Sequence, residues 1–142
     1  MPAARFFLDT NIIIYSVDTN AELRKQAIAE DLIEKALQGV GCISMQVVQE
    51  CLAVLTSPKI KHGMTPSDIL QYLETTLEPL AQPVASMALY RKALSIQERW
   101  KFGFYDALIV ASALALDCDR LYSEDFQNGQ RIEGLTVVNP FL

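Results

Sequence analysis

An α/β sandwich with a mostly parallel, about five-stranded sheet is the fold that this sequence predicts. Short apolar runs typical of strands alternate with longer runs whose apolar residues recur at helical spacing. The 142 residues match one ordinary domain, and the hydrophobic share of 51% against 20% charged residues indicates a single core. We find no linker, internal repeat or domain boundary, so the sequence predicts one domain over residues 1–142.

Two strands and two helices are predicted in the first part of the chain. In order, they cover residues 5–8, 21–38, 42–44 and 44–55. The first strand ends at the polar triplet 9–11. The first helix has apolar residues at helical spacing and ends at Gly39. Ser44 is a helix-capping residue, and it opens a second helix that stops before Pro58.

Three helices and three strands are predicted in the remainder. In order, they cover residues 65–79, 80–84, 86–101, 105–116, 120–123 and 135–138. Thr65 followed by Pro66 and Asp68 is a typical helix start, and Pro79 ends this helix. Pro83 restricts the strand 80–84 to an edge of the sheet or a strand end.

The sequence excludes several classes of protein. No run of about 18 apolar residues occurs, and the densest stretch, residues 107–116, is too short to span a bilayer. The N-terminus reaches acidic Asp9 without the charged-then-apolar layout of a secretory signal. The 3 cysteines are widely spaced and fit neither a disulfide framework nor a zinc site. We therefore expect a soluble cytoplasmic protein with buried thiols and no membrane partner.

The charge balance limits how a nucleic acid could bind. There are 12 Lys and Arg residues against 17 Asp and Glu residues, which gives a formal net charge of −5. A protein that holds nucleic acid by its overall field is normally basic. Any polyanionic partner must therefore meet a local basic patch.

Four acidic residues lie where an open α/β sheet normally holds its ligand, beyond the carboxyl ends of the strands. They are Asp9, Glu50, Asp106 and Asp125. Asp9 and Asp125 follow predicted strands, Asp106 lies at the start of a helix, and Glu50 lies within the helix after the second strand. Because the fold brings these elements to one end of the sheet, we expect the four carboxylates to lie together.

Each acid also has a simpler interpretation. For Asp9 it is a turn with Asn11, for Asp106 a helix N-cap, and for Asp125 a solvated loop. Glu50 belongs to a polar stripe at positions 46, 49, 50 and 53 of its helix. This stripe is either a solvated face or the wall of a polar cleft.

Several carboxylates in one place favour a divalent cation. Like charges repel, so some of the acids would have raised pKa values without a cation between them. Oxygen-only ligands suit Mg²⁺ or Mn²⁺, which can activate water and stabilise a phosphoryl group during in-line displacement. The single histidine, His62, excludes a two-histidine site.

Four motifs follow one another in the order and spacing of a known family. They are "FFLDTN" at the first strand, "QVVQE" in the early helix, "FYDALIVASA" and "LYSEDF". In these motifs the chain resembles the PIN-domain ribonucleases, and most of all the VapC-type toxins of toxin–antitoxin pairs. The resemblance extends from Arg5 to the terminal "LTVVNPF".

The resemblance implies a three-layer α/β/α sandwich and an endoribonuclease that depends on Mg²⁺ or Mn²⁺. The residues that would hold the metal and activate water for RNA cleavage are Asp9, Glu50, Asp106 and Asp125. The residues that would support these carboxylates are Thr10, Asn11 and Ser123. One departure concerns the last acid: many members carry a further acid before the next aromatic, whereas Phe126 here follows Asp125 directly. Glu124 is the candidate to take its place, which leaves the number of metals open.

Six basic residues are candidates for contacting RNA along a local positive groove. They are Lys59, Lys61, Arg91, Lys92, Arg99 and Lys101. Trp100 and Tyr105 are candidates to stack on bases. The alternative is an ordinary solvated helix face, with Trp100 packed in the core.

The resemblance also implies protein partners. A toxin of this family pairs with a small antitoxin that inserts a segment over the acidic cleft, and homodimers are common in the family. The amphipathic stretches 21–38 and 69–77 provide either a groove for the antitoxin or ordinary core-facing helices.

Three alternative functions stand beside the toxin hypothesis. A housekeeping nuclease for RNA processing would use the same carboxylates. A non-catalytic module that binds RNA or protein is disfavoured because all four acids are present. A phosphatase of the aspartyl-phosphate type also begins with an Asp after the first strand, but Asn11 stands where its second Asp would fall.

Overall fold

A six-stranded sheet forms the centre of the structure, a computed structural model that describes residues 4–142. The strands are β1 (Phe6–Leu8), β2 (Gly41–Ser44), β3 (Ala81–Gln82), β4 (Arg120–Tyr122), β5 (Arg131–Ile132) and β6 (Leu135–Val138). Their spatial order is β3-β2-β1-β4-β6-β5, and every neighbouring pair is parallel except β5 with β6. The predicted mostly parallel α/β sandwich is confirmed, with six strands rather than five.

Helices flank this sheet. They are α1 (Thr10–Val17), α2 (Leu23–Lys35), α3 (Met45–Leu55), α4 (Pro66–Tyr72), α5 (Glu78–Leu80), α6 (Met87–Trp100) and α7 (Phe104–Ala115). Helix α1 packs against α2 and α3, and α6 packs along α7. Two predicted helix starts are confirmed: the Ser44 hydroxyl accepts a hydrogen bond from the N–H of Val47, and Thr65 forms a reciprocal capping box with Asp68.

Helix α1 is the main difference from the sequence-based prediction, which has no helix between residues 9 and 21. Three consecutive isoleucines, residues 12–14, favour a strand when judged by local propensity. In the structure Ile12 and Ile13 are fully buried in the core, and Asp9 caps the helix. Burial and capping therefore outweigh the local preference.

Strand β5 is the one strand that the sequence does not predict. It has two residues and is too short to show a periodic pattern in the sequence. It pairs with β6 through a tight turn at Glu133 and Gly134, which both have positive φ, 52° and 93°. Such a turn suits a two-residue hairpin. The strand lies at one edge of the sheet and does not change the position of the acids.

The segment between α4 and β3 also differs from the prediction. Helix α4 ends at Tyr72, and the chain continues through a wide turn, Leu73–Leu77, into α5. Pro79 does not end the helical segment, because it lies in the first turn of α5, where no backbone N–H is needed. Strand β3 is shorter than predicted and lies at the sheet edge, in agreement with Pro83 directly after it.

One hydrophobic core runs through the described chain. Its largest fully buried side chains include Phe7, Leu8, Ile43, Ile109 and Leu121, which lie on three strands and on α7. All three cysteines are buried and free, as the sequence predicts. None of the helices within residues 4–142 is long and apolar enough to cross a membrane.

The junction between α2 and β2 requires a residue without a side chain. Helix α2 ends at Lys35 rather than residue 38, and a wide turn, Ala36–Val40, leads back to the sheet. A Cβ atom on Gly41 would lie 2.3 Å from the Cβ of Ala36 and 2.7 Å from the ring of Phe6. The helix and the sheet can approach this closely only because residue 41 is glycine.

We expect Gly41→Ala to destabilise the fold by about 1–3 kcal/mol, because the new methyl group overpacks the α2–β2 junction. The matched control is Gly103→Ala, where φ is −66° and no atom lies within 4 Å of the new Cβ. The measurement is the urea midpoint of unfolding for both variants. If Gly41→Ala and Gly103→Ala unfolded at the same urea concentration, the result would contradict the close packing at the α2–β2 junction.

Candidate active site

Asp9 is the buried acid at the centre of the site. It follows β1, which lies between β2 and β4 in the sheet, and it begins α1. Its Oδ1 accepts a hydrogen bond from the N–H of Thr10 (2.7 Å), and its Oδ2 accepts one from the hydroxyl of Ser123 (2.7 Å). Asp9 is only 5% exposed. The alternative of a simple turn with Asn11 is therefore wrong, since Asp9 caps a helix and contacts a second strand end.

A hydrogen-bond network connects Asp9 with Asp125. Ser123, buried directly after β4, donates to Asp9 and accepts from the N–H of Asp125 (3.0 Å). The Asn11 amide donates to Asp125 Oδ2 (3.0 Å) and lies 3.3 Å from the Ser123 hydroxyl. The exposed Asp125 side chain is thus oriented by residues from the ends of both central strands.

Glu50 reaches the same edge of the sheet from α3. Its Oε1 accepts a hydrogen bond from the hydroxyl of Thr10 (3.2 Å). Thr10 therefore contacts Asp9 through its backbone and Glu50 through its side chain. Gln46 and Gln49, from the same polar stripe, line an open cavity of about 450 Å³. Gln46 and Gln49 therefore form part of a cavity wall, but Gln49 is exposed like Ala53, and none of the four acids lines this cavity.

Asp106 lies in the first turn of α7. The N-cap of this helix is Gly103, so the interpretation of Asp106 as the N-cap is wrong. Gln46 Nε2 donates to the carbonyl oxygen of Tyr105 (3.2 Å), which ties the start of α7 to α3. This contact links the start of the helix that carries Asp106 to the helix that carries Glu50.

The charges of the four acids act on one another. Burial raises the pKa of Asp9 from 3.8 to about 7, and Asp125 and Glu50 add to this rise against two hydrogen bonds that lower it. Burial is also the largest cause of a raised pKa at Glu50, with Asp106 and Asp125 contributing. The pKa of Asp106 is raised by burial and by Asp125. Within residues 4–142 none of the four forms an ion pair with Lys or Arg.

The donor chemistry of this cluster fits a hard divalent cation. All four side chains offer carboxylate oxygens, and their repulsion is not neutralised by the described residues. Across residues 4–142, no three His, Cys, Asp or Glu side chains come together tightly enough to enclose a metal directly. Mg²⁺ keeps several water ligands and commonly uses only one or two carboxylates, so it does not need such an enclosure.

Glu124 contacts side chains of α1 and α2. Its Oε1 accepts a hydrogen bond from the Tyr15 hydroxyl, and its Oε2 lies 3.5 Å from the ammonium of Lys25. Both carboxylate oxygens therefore have partners on α1 and α2. Tyr15 and Lys25 fix the loop that carries Asp125, and no local pattern in the sequence could identify them because this contact depends on the packing of α1 and α2.

The six basic candidates are spread over the molecule. Lys92 pairs with Glu133 (2.6 Å) before β6, at the amino ends of the parallel strands and thus opposite the acids. The carbonyl oxygen of Lys61 accepts from the N–H of Thr19 (2.7 Å), which follows the far end of α1. Arg99 lies in the last turn of α6, and Lys101 follows the helix in the turn to α7. Asp106 lies in the first turn of α7.

The two aromatic candidates have different surroundings. Trp100 is half-buried and packs against the core, in agreement with the core interpretation, and Arg99 lies 5.7 Å from its ring centre. Tyr105 is 68% exposed beside Asp106 and lines the cavity next to Gln46. Of the two aromatic candidates, Tyr105 is therefore the exposed one.

The comparisons with known proteins agree with this architecture. The PIN domain model matches residues 6–129. The chain resembles the crystal structure of FitAcB from Neisseria gonorrhoeae, at 19% identity over 96% of this chain and 98% of the other, with a TM-score of 0.64. It also resembles a toxin–antitoxin complex from Klebsiella pneumoniae, at 18% identity over 96% and 98% of the two chains, with a TM-score of 0.65. A third similar structure is FitAB bound to an IR36 DNA fragment, at 21% identity over 96% of both chains and a TM-score of 0.65.

At these identities the structural likeness establishes the fold, and the family follows from the domain match. No curated protein sequence gives a significant match. The matched region contains β1 through β4 and all four acids. The chain belongs to the PIN domain family.

Proposed function

We propose that this chain is a metal-dependent endoribonuclease that acts as the toxin of a toxin–antitoxin pair, of the VapC type. The observation that carries the nuclease activity is the approach of Asp9, Glu50, Asp106 and Asp125 from four different elements, without a basic partner among residues 4–142. Membership of the PIN domain family supports hydrolysis of phosphodiester bonds.

The side chains around the acids have distinct roles in this proposal. The four carboxylates would hold Mg²⁺ or Mn²⁺, and the bound ion would supply Lewis-acid activation of the phosphodiester and of a water molecule. Thr10 fixes Asp9 relative to Glu50, and Ser123 fixes Asp9 relative to Asp125. Carboxylates held in place before the substrate binds need little reorganisation during the reaction.

The RNA path in this proposal crosses the turn between α6 and α7. Arg99 and Lys101 provide positive charge close to the chain segment of Asp106, and the exposed ring of Tyr105 provides a stacking surface. Such a patch attracts the phosphate backbone despite the net charge of −5. Lys92, which forms an ion pair with Glu133, is not part of the path in this proposal.

An antitoxin partner is part of the same proposal. One of the similar structures is a toxin–antitoxin complex, which supports this partner. A shallow groove between α1, α2 and α4 is lined by apolar Ile33, Leu37 and Tyr72 and by acidic Glu30 and Glu34. The amphipathic helix α2 thus contributes both to the core and to a surface that suits an apolar, basic segment. A homodimer and a cytoplasmic location complete the proposal.

The function is tested by incubating the purified chain with a structured RNA and with a DNA of the same sequence. We expect internal cleavage of the RNA with Mg²⁺ or Mn²⁺ and none with EDTA. Induced expression should also arrest growth, and coexpression of the antitoxin should restore it. Cleavage that persists in EDTA would contradict the metal mechanism, and normal growth despite cleavage would favour the housekeeping nuclease.

Binding of the metal can be measured without catalysis. We expect saturating Mg²⁺ to raise the Tm by roughly 5–10 °C, because a cation bound only to the folded state stabilises it by mass action. Asp9→Asn should lose most of this rise, and EDTA should reverse it in the wild type. An equal rise in both proteins would indicate general ionic screening instead of a site.

A further inference from the structure

Two of the three cysteines form a close buried pair that the nuclease proposal does not use. Cys42 lies in β2 and Cys118 lies just before β4, so the two residues come from either side of β1. Their sulfur atoms are 3.4 Å apart although 76 residues separate them in the chain. Cys118 is 6% exposed and lies between the exposed residues Asp117 and Asp119, whereas Cys42 is 1% exposed.

We propose that Cys42 and Cys118 are an internal redox site that forms a disulfide when the chain meets a hydroperoxide. A disulfide bond is about 2.05 Å long, so its formation would require the sulfur atoms to approach by about 1.4 Å. Cys51, the third thiol, lies on α3 and is also buried and free. The proposal rests on the geometry of the sulfur pair and is independent of the nuclease function.

The surroundings shift the pKa values of the two thiols in opposite directions. The hydrogen bond with Cys118 lowers the pKa of Cys42, and the nearby Arg5 acts in the same direction. The same hydrogen bond is the largest cause of a raised pKa at Cys118. Of the two thiols, Cys42 is therefore the one whose pKa is shifted toward the thiolate, which is the form that reacts with peroxides.

The reaction has two balanced steps. The Cys42 thiolate attacks one peroxide oxygen, the O–O bond breaks, and the products are a sulfenic acid and, after protonation, water or an alcohol. The sulfur of Cys118 then attacks the sulfenic sulfur and displaces hydroxide, which leaves as water with the Cys118 proton. Two thiols are oxidised by two electrons, and one hydroperoxide is reduced.

The crosslink would lie away from the acids, because Cys118 precedes β4 whereas the acids lie beyond the carboxyl ends of β1 and β4. It would close a loop across half of the chain and thereby restrict the unfolded state. We therefore expect the Tm to rise by roughly 5–15 °C on oxidation.

The test uses Cys51→Ala as the background, because trypsin otherwise leaves Cys42 and Cys51 in one peptide, residues 36–59. The protein is treated with hydrogen peroxide or with dithiothreitol, then denatured and digested. We expect peroxide to remove both remaining thiols and to link peptide 36–59 to peptide 102–120, with a mass 2 Da below their sum. The linked form should have the higher Tm, and dithiothreitol should reverse both changes.

Two results would overturn the proposal. They are two free thiols after peroxide treatment, or sulfinic acid at either cysteine in place of the link. Cys51→Ala combined with Cys118→Ala is the control, and it should show no link and no rise in Tm. The peptide map of the Cys51→Ala protein decides the matter even if the double variant folds poorly.

Discussion

Asp9→Asn should reduce RNA cleavage by about 10²–10³-fold while the fold stays intact. The replacement keeps the shape of the side chain and an oxygen that can accept from the N–H of Thr10. It removes the most buried carboxylate of the cluster and with it several kcal/mol of charge stabilisation in the transition state. The measurement is the initial rate of cleavage at saturating Mg²⁺, with circular dichroism as the check on folding.

The matched control for this loss is Asp117→Asn. It makes the same change of charge at an exposed aspartate, at the opposite end of α7 from Asp106. Asparagine also tolerates the φ of 59° at this position. We expect the control to cleave RNA at the wild-type rate. A folded Asp9→Asn protein that cleaves as fast as the control would exclude Asp9 from the site.

The same variant should change how stability depends on pH. Asp9 has a pKa of about 7 in the folded chain against 3.8 ordinarily, so between these values the folded state binds the extra proton. The wild type therefore loses stability as the pH rises from about 4 to about 7. This loss amounts to roughly 4 kcal/mol for a shift of about three units.

Asp9→Asn cannot ionise at this position and should lack that loss. In EDTA, the free energy of unfolding of the variant relative to the wild type should increase by up to about 4 kcal/mol between pH 4 and pH 8. Urea unfolding of both proteins at several pH values measures this difference. Parallel pH profiles would show that Asp9 is not the buried acid with the raised pKa.

The edge of the sheet where the acids lie could be predicted because it depends only on where the parallel strands end. Asp9 and Asp125 follow β1 and β4, which are neighbours in a parallel sheet, so their carboxyl ends meet. Asp106 lies on the helix that leads into β4, and its placement follows from the same connectivity. The extent of a single domain over residues 1–142 stays a prediction.

The contacts that hold the acids could not be predicted in the same way. The helix that Asp9 caps contains Ile12 and Ile13, whose local preference is for a strand. Once this helix is missed, Tyr15 has no assigned position, and its contact with Glu124 cannot be foreseen. Glu124 therefore looks available in the sequence but is occupied in the fold.

The basic residues show a second limit of the sequence. Lys92 and Arg99 lie on one helix and have the same charge, yet Lys92 pairs with Glu133 away from the acids. That pairing depends on the turn before β6, whose strand partner β5 has only two residues. Charge along the chain therefore predicts candidates for RNA contact, whereas packing decides which of them lie near the site.

The acidic cluster is tested most sharply by comparing Asp106→Asn with Asp117→Asn in the RNA cleavage assay. Each variant removes one negative charge, Asp106→Asn in the first turn of α7 and Asp117→Asn just after the last residue of α7. Only Asp106 lies in the acidic cluster. We expect Mg²⁺-dependent cleavage to fall by at least about 10²-fold in Asp106→Asn and to stay at the wild-type level in Asp117→Asn. Equal cleavage by two folded variants would contradict a metal site built from these four acids.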